Sequence, residues 1–184
     1  MHDEKSLVER AQQNDKEAFA AIYEEHFDRI YRYVFLRVRN QPEAEDLTQQ
    51  VFLKAMLSIG SYRWHGPPLA AWLFRIAHNQ VVDFQRRLSK IQMSVLDTPV
   101  PASDPDPAQI VEQHVEFERI KMAVTGLTQL QQEVIALRFA GELSTLETAK
   151  AMGKSEGAIK ALQHSAMAAL RKILSVEYEH GQEV

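Results

Sequence analysis

The chain has 184 residues and a mass of 21.0 kDa, room for one ordinary domain or two small helical ones. Hydrophobic residues make up 45% and charged residues 25%, the balance of a soluble globular protein, and no apolar run approaches the roughly 18 residues of a membrane span. Cysteine is absent, which excludes disulfides, thiolate metal sites, iron–sulfur clusters and Cys nucleophiles, and fits a cytoplasmic protein without a secretory leader. The net charge of −4 divides unevenly, with +1 over residues 1–90, −5 over 91–119 and 0 over 120–184. Two near-neutral segments therefore flank an acidic connector, and the free chain has too few basic side chains for strong non-specific DNA binding.

A short helix is expected over Glu4–Gln13, ending at Asn14, after which Asp15 suits the N-cap of a second. That helix runs to about Arg39, with Phe19, Ile22, Tyr23, Phe27, Ile30, Val34 and Val38 spaced by three and four. Pro42 fits the first turn of a third, which carries Leu47, Val51, Phe52 and Ala55 and stops at Gly60. Pro67 and Pro68 open a fourth, from Leu69 to about Lys90. Four of the seven prolines, Pro99, Pro101, Pro105 and Pro107, then fall within nine residues beside Asp97, Asp104 and Asp106. This stretch reads as an extended, solvated linker. Beyond it a helix is expected over Ala108–Val124, followed by three more over Thr128–Phe139, Ser144–Met152 and Ser155–Leu174, separated by Gly141 and Gly153. No period-2 strand pattern occurs. The expectation is an all-α fold with domains at 1–93 and 108–175, a linker at 94–107 and an acidic tail at 176–184. Such a connector is compatible with open and with packed arrangements of the two domains.

Ser144 to Lys160 has the layout of a helix-turn-helix. Ser144 with Glu147 at N3 makes a capping box, Ala149 is small where helices must cross, Gly153 supplies the turn, and Ser155 caps the second helix. That second helix is the one such motifs lay in the major groove. Its exposed candidates are Lys154, Ser155, Glu156, Lys160, Gln163 and His164, while Ile159, Leu162, Ala166, Leu170 and Ile173 form an apolar stripe. An αα-hairpin that binds nothing is the plainer reading of this motif alone. In the N-terminal part, Asp46, Gln49 and Gln50 can form a polar surface on the third helix while Leu47, Val51 and Phe52 pack. On the fourth, Trp72, Ile76 and Val82 can serve packing while Arg75, His78, Asn79, Arg86 and Arg87 line a face. The preceding loop, Ser61–Gly66, sets Tyr62 and Trp64 beside Arg63 and His65. Aromatics interleaved with positive charge suit unstacked single-stranded bases, although core packing is the commoner use of a residue such as Trp72.

Taken together, these motifs resemble a group IV, extracytoplasmic-function sigma factor of bacterial RNA polymerase, over about Glu9 to Leu174. The marks are Ile30-Tyr-Arg-Tyr33, Asp46-Leu-Thr-Gln49 with Val51-Phe52, and Ala71-Trp-Leu-Phe-Arg-Ile-Ala77 with Asn79, Asp83 and Arg86-Arg87. Leu127 to Val134, Leu137-Arg-Phe139 and the helix-turn-helix ending in Ala169-Leu-Arg171 complete the set. The resemblance implies that Asp46, Leu47, Gln49, Gln50 and Phe52 dock on the polymerase clamp helices. It implies that Tyr62, Arg63, Trp64, His65, Arg75, His78, Asn79, Asp83, Arg86 and Arg87 read and melt the −10 promoter element. Lys154, Ser155, Glu156, Lys160, Gln163 and His164 would read the −35 element, though Leu162, Ser165 and Met167 stand where the family often carries arginine. Core RNA polymerase, promoter DNA and an anti-sigma factor are the implied partners, with no cofactor, no metal and no catalytic activity. A stand-alone helix-turn-helix regulator is the alternative, and it leaves the Asp46–Phe52 and Trp72–Arg87 patches without a role. An enzyme fits least, because the histidines form no H-E-x-x-H pair and neither a P-loop nor a G-x-S-x-G occurs.

Overall fold

The computed structural model describes residues 4–63, 68–94 and 123–180, all in helices, turns or short connections. The N-terminal region is built from α1 (Glu4–Gln12), α2 (Lys16–Val38), α3 (Gln41–Ser58) with a 3-10 turn at Ile59–Ser61, and α4 (Leu69–Ser94). The C-terminal region holds α5 (Gln129–Ile135), which runs into a π turn at Ala136–Ala140, then α6 (Thr145–Met152) and α7 (Glu156–His180). Among the described residues there is no strand. Ser94, the first residue of the expected linker at 94–107, ends α4; the rest of that linker, the expected helix Ala108–Val124 up to residue 122, and Trp64 and His65 lie outside the described residues.

The helix starts follow the local chemistry. Asp15 accepts the N–H groups of Glu17 and Ala18 and the Nε–H of Arg10, and the Ala18 bond and Arg10 hold its carboxyl below the usual range. Asn40 caps α3 through Glu43 N–H, with Pro42 in the first turn. The fourth helix runs past the expected Lys90 to Ser94, and three further boundaries differ from the sequence reading. The third helix ends at Ser58, two residues before Gly60. The helix expected over Thr128–Phe139 is α-helical only to Ile135, and the wider turn that follows lets Gly141 N–H donate to Ala136 C=O. The last helix continues to His180 because nothing between Leu174 and Gly181 breaks it, so most of the expected acidic tail is helical.

Of the open and packed arrangements the linker allows, the structure has the packed one: the two regions share one apolar core. Ile22, Ile30, Tyr33, Leu47, Val51, Leu73 and Phe74 of the N-terminal region form one buried cluster with Ala136, Leu137, Leu143 and Ala151 of the C-terminal region. Helix α6 lies against α4, and the π turn against α2. The approach is close at Gly141, where an added Cβ would stand 2.6 Å from the ring of Phe74 and 2.8 Å from the Leu137 carbonyl. Arg29 fastens the same point, donating from Nε (3.0 Å) and a terminal nitrogen (2.8 Å) to Gly141 C=O with its guanidinium 5.8 Å from the Phe74 ring centre.

His26 sits in the buried stripe of α2 with both ring nitrogens lacking a hydrogen-bond partner. Burial pushes its imidazole below the ordinary range, helped by Arg29 and opposed by Glu25 and Glu147. A histidine held neutral on folding contributes stability that is lost as pH falls below its unfolded value of about 6.5. Replacing His26 with Leu is expected to raise the unfolding free energy by about 1–3 kcal/mol, the usual cost of an unsatisfied buried polar group. Urea titrations at pH 7.5 and pH 5.5 check this, and the gain should be larger at the lower pH.

Candidate functional site

Three surfaces carry the residues singled out by sequence. On α3, Asp46 and Gln49 are exposed and Gln50 half-buried, and Gln50 Nε2 donates to Asp46 Oδ2. Leu47 and Phe52, expected to dock with them, are instead buried at 1% and 4% exposure, with Phe52 packed on the rings of Tyr23 and Phe27. These two hold the helix in place and present nothing outward. The exposed face is completed by residues the sequence reading missed, Leu53, Met56 and Leu57, which are 53%, 50% and 76% exposed. Their signal was available, since they follow Asp46, Gln49 and Gln50 at helical spacing yet are apolar on the solvent side.

On α4, Arg75, Asn79, Asp83, Arg86 and Arg87 are exposed on successive turns. A groove of about 510 Å³ between α3 and α4 is lined by Gln50, Lys54, Gln80, Asp83, Arg86, Arg87 and Lys90. Lys54 and Lys90 thus add two cations to the expected set, and Asp83 pairs with Arg86 at 3.9 Å. Tyr62 departs from expectation: it is buried at 4% exposure against Trp72, with ring centres 5.3 Å apart, so it anchors the end of the loop. Arg63 is exposed beside it.

His78 also departs. It faces the C-terminal region, where its Nδ1 lies 2.9 Å from Oε1 of Glu133. The same oxygen accepts a 2.6 Å bond from the Tyr33 hydroxyl, and Oε2 lies 3.1 Å from Arg37 Nε. The Arg37–Glu133 contact is an ion pair off the hydrogen-bond direction, and neither of these two atoms has a hydrogen-bond partner. The remaining Arg37 nitrogens donate to Gln132, Gln129 and, at 3.5 Å, Gln85. Burial alone would raise the Glu133 carboxyl, but the His78 bond, the Arg37 charge and the Tyr33 bond outweigh it and hold the carboxyl below its usual range. Burial and the adjacent carboxylate push the Tyr33 phenol well above its ordinary value.

The helix-turn-helix forms as its sequence predicts. Ser144 Oγ accepts Glu147 N–H while the Glu147 carboxylate accepts Ser144 N–H, closing the capping box. Gly153 takes the left-handed conformation with φ of 63°, and Ser155 Oγ accepts Ala158 N–H. Val134, Ala149 and Ile159 are buried together where the helices cross. Lys154, Ser155, Glu156, Lys160 and His164 are exposed at the start of α7. Gln163 is half-buried and accepts Arg138 Nε–H at 3.1 Å, so it is partly committed to the protein itself. Among the described residues there is no group of ligands able to hold a metal ion, and no helix long and apolar enough to cross a membrane.

The two regions thus present an exposed polar–apolar face on α3, a cationic groove between α3 and α4, and a helix-turn-helix. The sigma-70 region 2 family matches residues 22–91 and the sigma-70 region 4 family matches residues 123–172. The sigma factor BldN of Streptomyces coelicolor is 39% identical over 172 residues, covering 91% of this chain and 64% of BldN. The chain thus spans somewhat under two thirds of that relative's length. SigX of Bacillus subtilis is 29% identical over 163 residues, covering 85% of this chain and 84% of SigX. Among solved structures, CnrH in complex with the cytosolic domain of CnrY superposes with a TM-score of 0.73 at 21% identity, covering 94% of this chain and 97% of that one. The sigma factor RpoE of Bartonella quintana, in complex with the anti-sigma factor NepR, gives a TM-score of 0.72 at 25% identity, over 86% and 97%. The chain belongs to the extracytoplasmic-function sigma factors, the class of alternative sigma factors that act in transcription initiation.

The turn of the DNA-reading motif gives a direct test. Open space surrounds the position of a Gly153 Cβ, so only the backbone opposes a side chain there. Gly153→Ala is expected to cost about 1–2 kcal/mol, the left-handed penalty for an L-residue, read from the denaturation midpoint with an unchanged slope.

Proposed function

We propose that this chain is a cytoplasmic alternative sigma factor that binds core RNA polymerase and directs it to promoters with −10 and −35 elements. The observation that carries the reading is the co-occurrence, in this order on one chain, of the α3 docking face, the α3–α4 cationic groove and the capped helix-turn-helix. Each has a distinct physical task. Asp46, Gln49, Gln50, Leu53, Met56 and Leu57 offer a partner helix an apolar strip edged by hydrogen-bonding groups, the composition of a helix-on-helix interface.

The groove supplies backbone neutralisation for one strand. Lys54, Arg86, Arg87 and Lys90 line its wall, while Arg63, Arg75 and Asn79 continue the face. Tyr62 is buried on Trp72, and we assign Arg63 with Trp64 and His65 to the extruded base. At the −35 element, Lys154 and the N-terminus of α7 contact phosphate, while Glu156, Lys160 and His164 face base edges. With no arginine at the head of α7, this contact is weaker than one built on a bidentate Arg–guanine pair. Polymerase contributes the remaining phosphate neutralisation, which is why a chain of net charge −4 can serve. The likeness to RpoE bound to NepR supports an anti-sigma partner for this chain as well.

Asp46→Ala combined with Gln49→Ala is expected to weaken association with core polymerase at least tenfold while leaving the unfolding transition unchanged, since both side chains are solvent-facing. Co-elution with bacterial core enzyme and thermal denaturation check the two halves of this statement. Lys160→Glu is expected to impair run-off transcription from promoters with a −35 match and to spare initiation that depends on the −10 element alone. Equal loss on both promoter types would remove Lys160 from the reading head.

A further inference from the structure

Met56 stands in the exposed apolar strip of α3, one turn from Leu53 and next to Leu57, with its side chain open to solvent. We propose that the Met56 thioether is a reversible oxidation site at which a hydroperoxide switches off the docking face of the free chain. The inference rests on the sigma factor reading above and adds a chemical control to the surface assigned there to polymerase.

Three observations carry the proposal. First, the sulfur chemistry of this chain belongs to methionine alone, because there is no cysteine to intercept a peroxide. Second, exposure separates the methionines. Of the six in the sequence, the side chains of Met56, Met152 and Met167 are described. Met152 packs against Val134, Ala149 and Ile159, and Met167 packs against Leu127, Ile135 and Ala166. Met56 is instead 50% exposed. Third, the surroundings make the oxidised form costly to bury. Leu53 and Leu57 are 53% and 76% exposed, so a helix laid on this face encloses Met56 among apolar side chains. Neither leucine can donate to a sulfoxide oxygen, and an acceptor buried without a donor opposes binding. The step itself is a two-electron oxidation. A lone pair on the Met56 sulfur attacks one peroxide oxygen, the S–O bond forms and the O–O bond breaks. The proton of the attacked oxygen passes to the departing one, which leaves as water from hydrogen peroxide or as an alcohol from an alkyl hydroperoxide. A thiol-dependent reductase reverses the change, returning the thioether with water and a disulfide.

Treatment of the full chain with dilute hydrogen peroxide, followed by peptide mass mapping, tests the site. Met56 is expected to gain one oxygen about tenfold faster than Met152 and Met167, and to be shielded when core polymerase is bound beforehand. The affinity of the oxidised chain for core polymerase is expected to fall about tenfold, with helical content unchanged by circular dichroism. It should recover after incubation with the two methionine sulfoxide reductases, one for each sulfoxide epimer. Met56→Leu retains every other methionine, so its affinity before and after peroxide isolates this position. Whatever that affinity is at the outset, peroxide is expected to leave it unaltered. Met56 reacting no faster than the two packed methionines overturns the site. Oxidised wild type that binds core as tightly as untreated chain overturns the switch, and so does a Met56→Leu variant that loses as much affinity on treatment as wild type. A loss that the reductases do not restore overturns its reversibility. If the untreated wild-type chain does not bind core at all, it is the sigma factor reading that fails, even where Met56 oxidises selectively, and the switch falls with it.

Discussion

A carboxylate withdrawn from water is stable only where its environment replaces the lost hydration, and Glu133 is such a group. Its oxygens reach a phenol and a guanidinium on α2 and an imidazole on α4. Two hydrogen-bonding groups and one guanidinium charge, spread over two helices, define a position and an orientation for this side chain. Buried ion pairs contribute little net stability compared with apolar packing, but removing one partner leaves an uncompensated charge. The contact therefore acts as a selector of arrangement. Apolar surface from Leu137, Leu143 and Ala151 supplies cohesion, and Glu133 permits only one way of using it.

The second constraint is steric and lies at the other end of the same contact. Gly141 meets the face of Phe74 where no Cβ fits, and Arg29 is held between that ring and the Gly141 carbonyl. The π turn brings Gly141 to this place, because an extra residue in the turn lets Leu137 enter the core while the chain still exits toward α6. A strictly α-helical continuation would place the following residues one position, roughly 100°, out of that register.

The helices were legible in the sequence because apolar spacing and capping chemistry agreed. Asp15, Pro42, Ser144 and Gly153 sit at their expected boundary positions, and the helix-turn-helix could be read almost residue by residue. The Glu133 contact was not legible, and the reason is physical. Tyr33 in an apolar stripe reads as core, Arg37 in a last helical turn reads as a complement to the helix dipole, and Glu133 on an amphipathic helix reads as solvated. Each reading is locally correct, and only the tertiary approach of regions separated by the linker makes the three a unit. His78 was assigned to DNA for the same reason, since a half-buried histidine on a basic helix has no sequence feature pointing to a distant carboxylate. On α3 the error ran the other way. Motif logic placed Leu47 and Phe52 in the docking set, whereas helical geometry turns them inward and turns Leu53, Met56 and Leu57 out.

The stretch joining the two regions, residues 95–122, amounts to 28 residues. Because both halves of the contact are carried on one chain, closing it is a unimolecular event. The effective concentration set by a tether of this order is in the millimolar range, whatever the abundance of the protein. An interface with an intrinsic dissociation constant of about 100 μM would then be closed roughly ten times more often than open. The balance between closed and open arrangements of the two regions is thus independent of expression level.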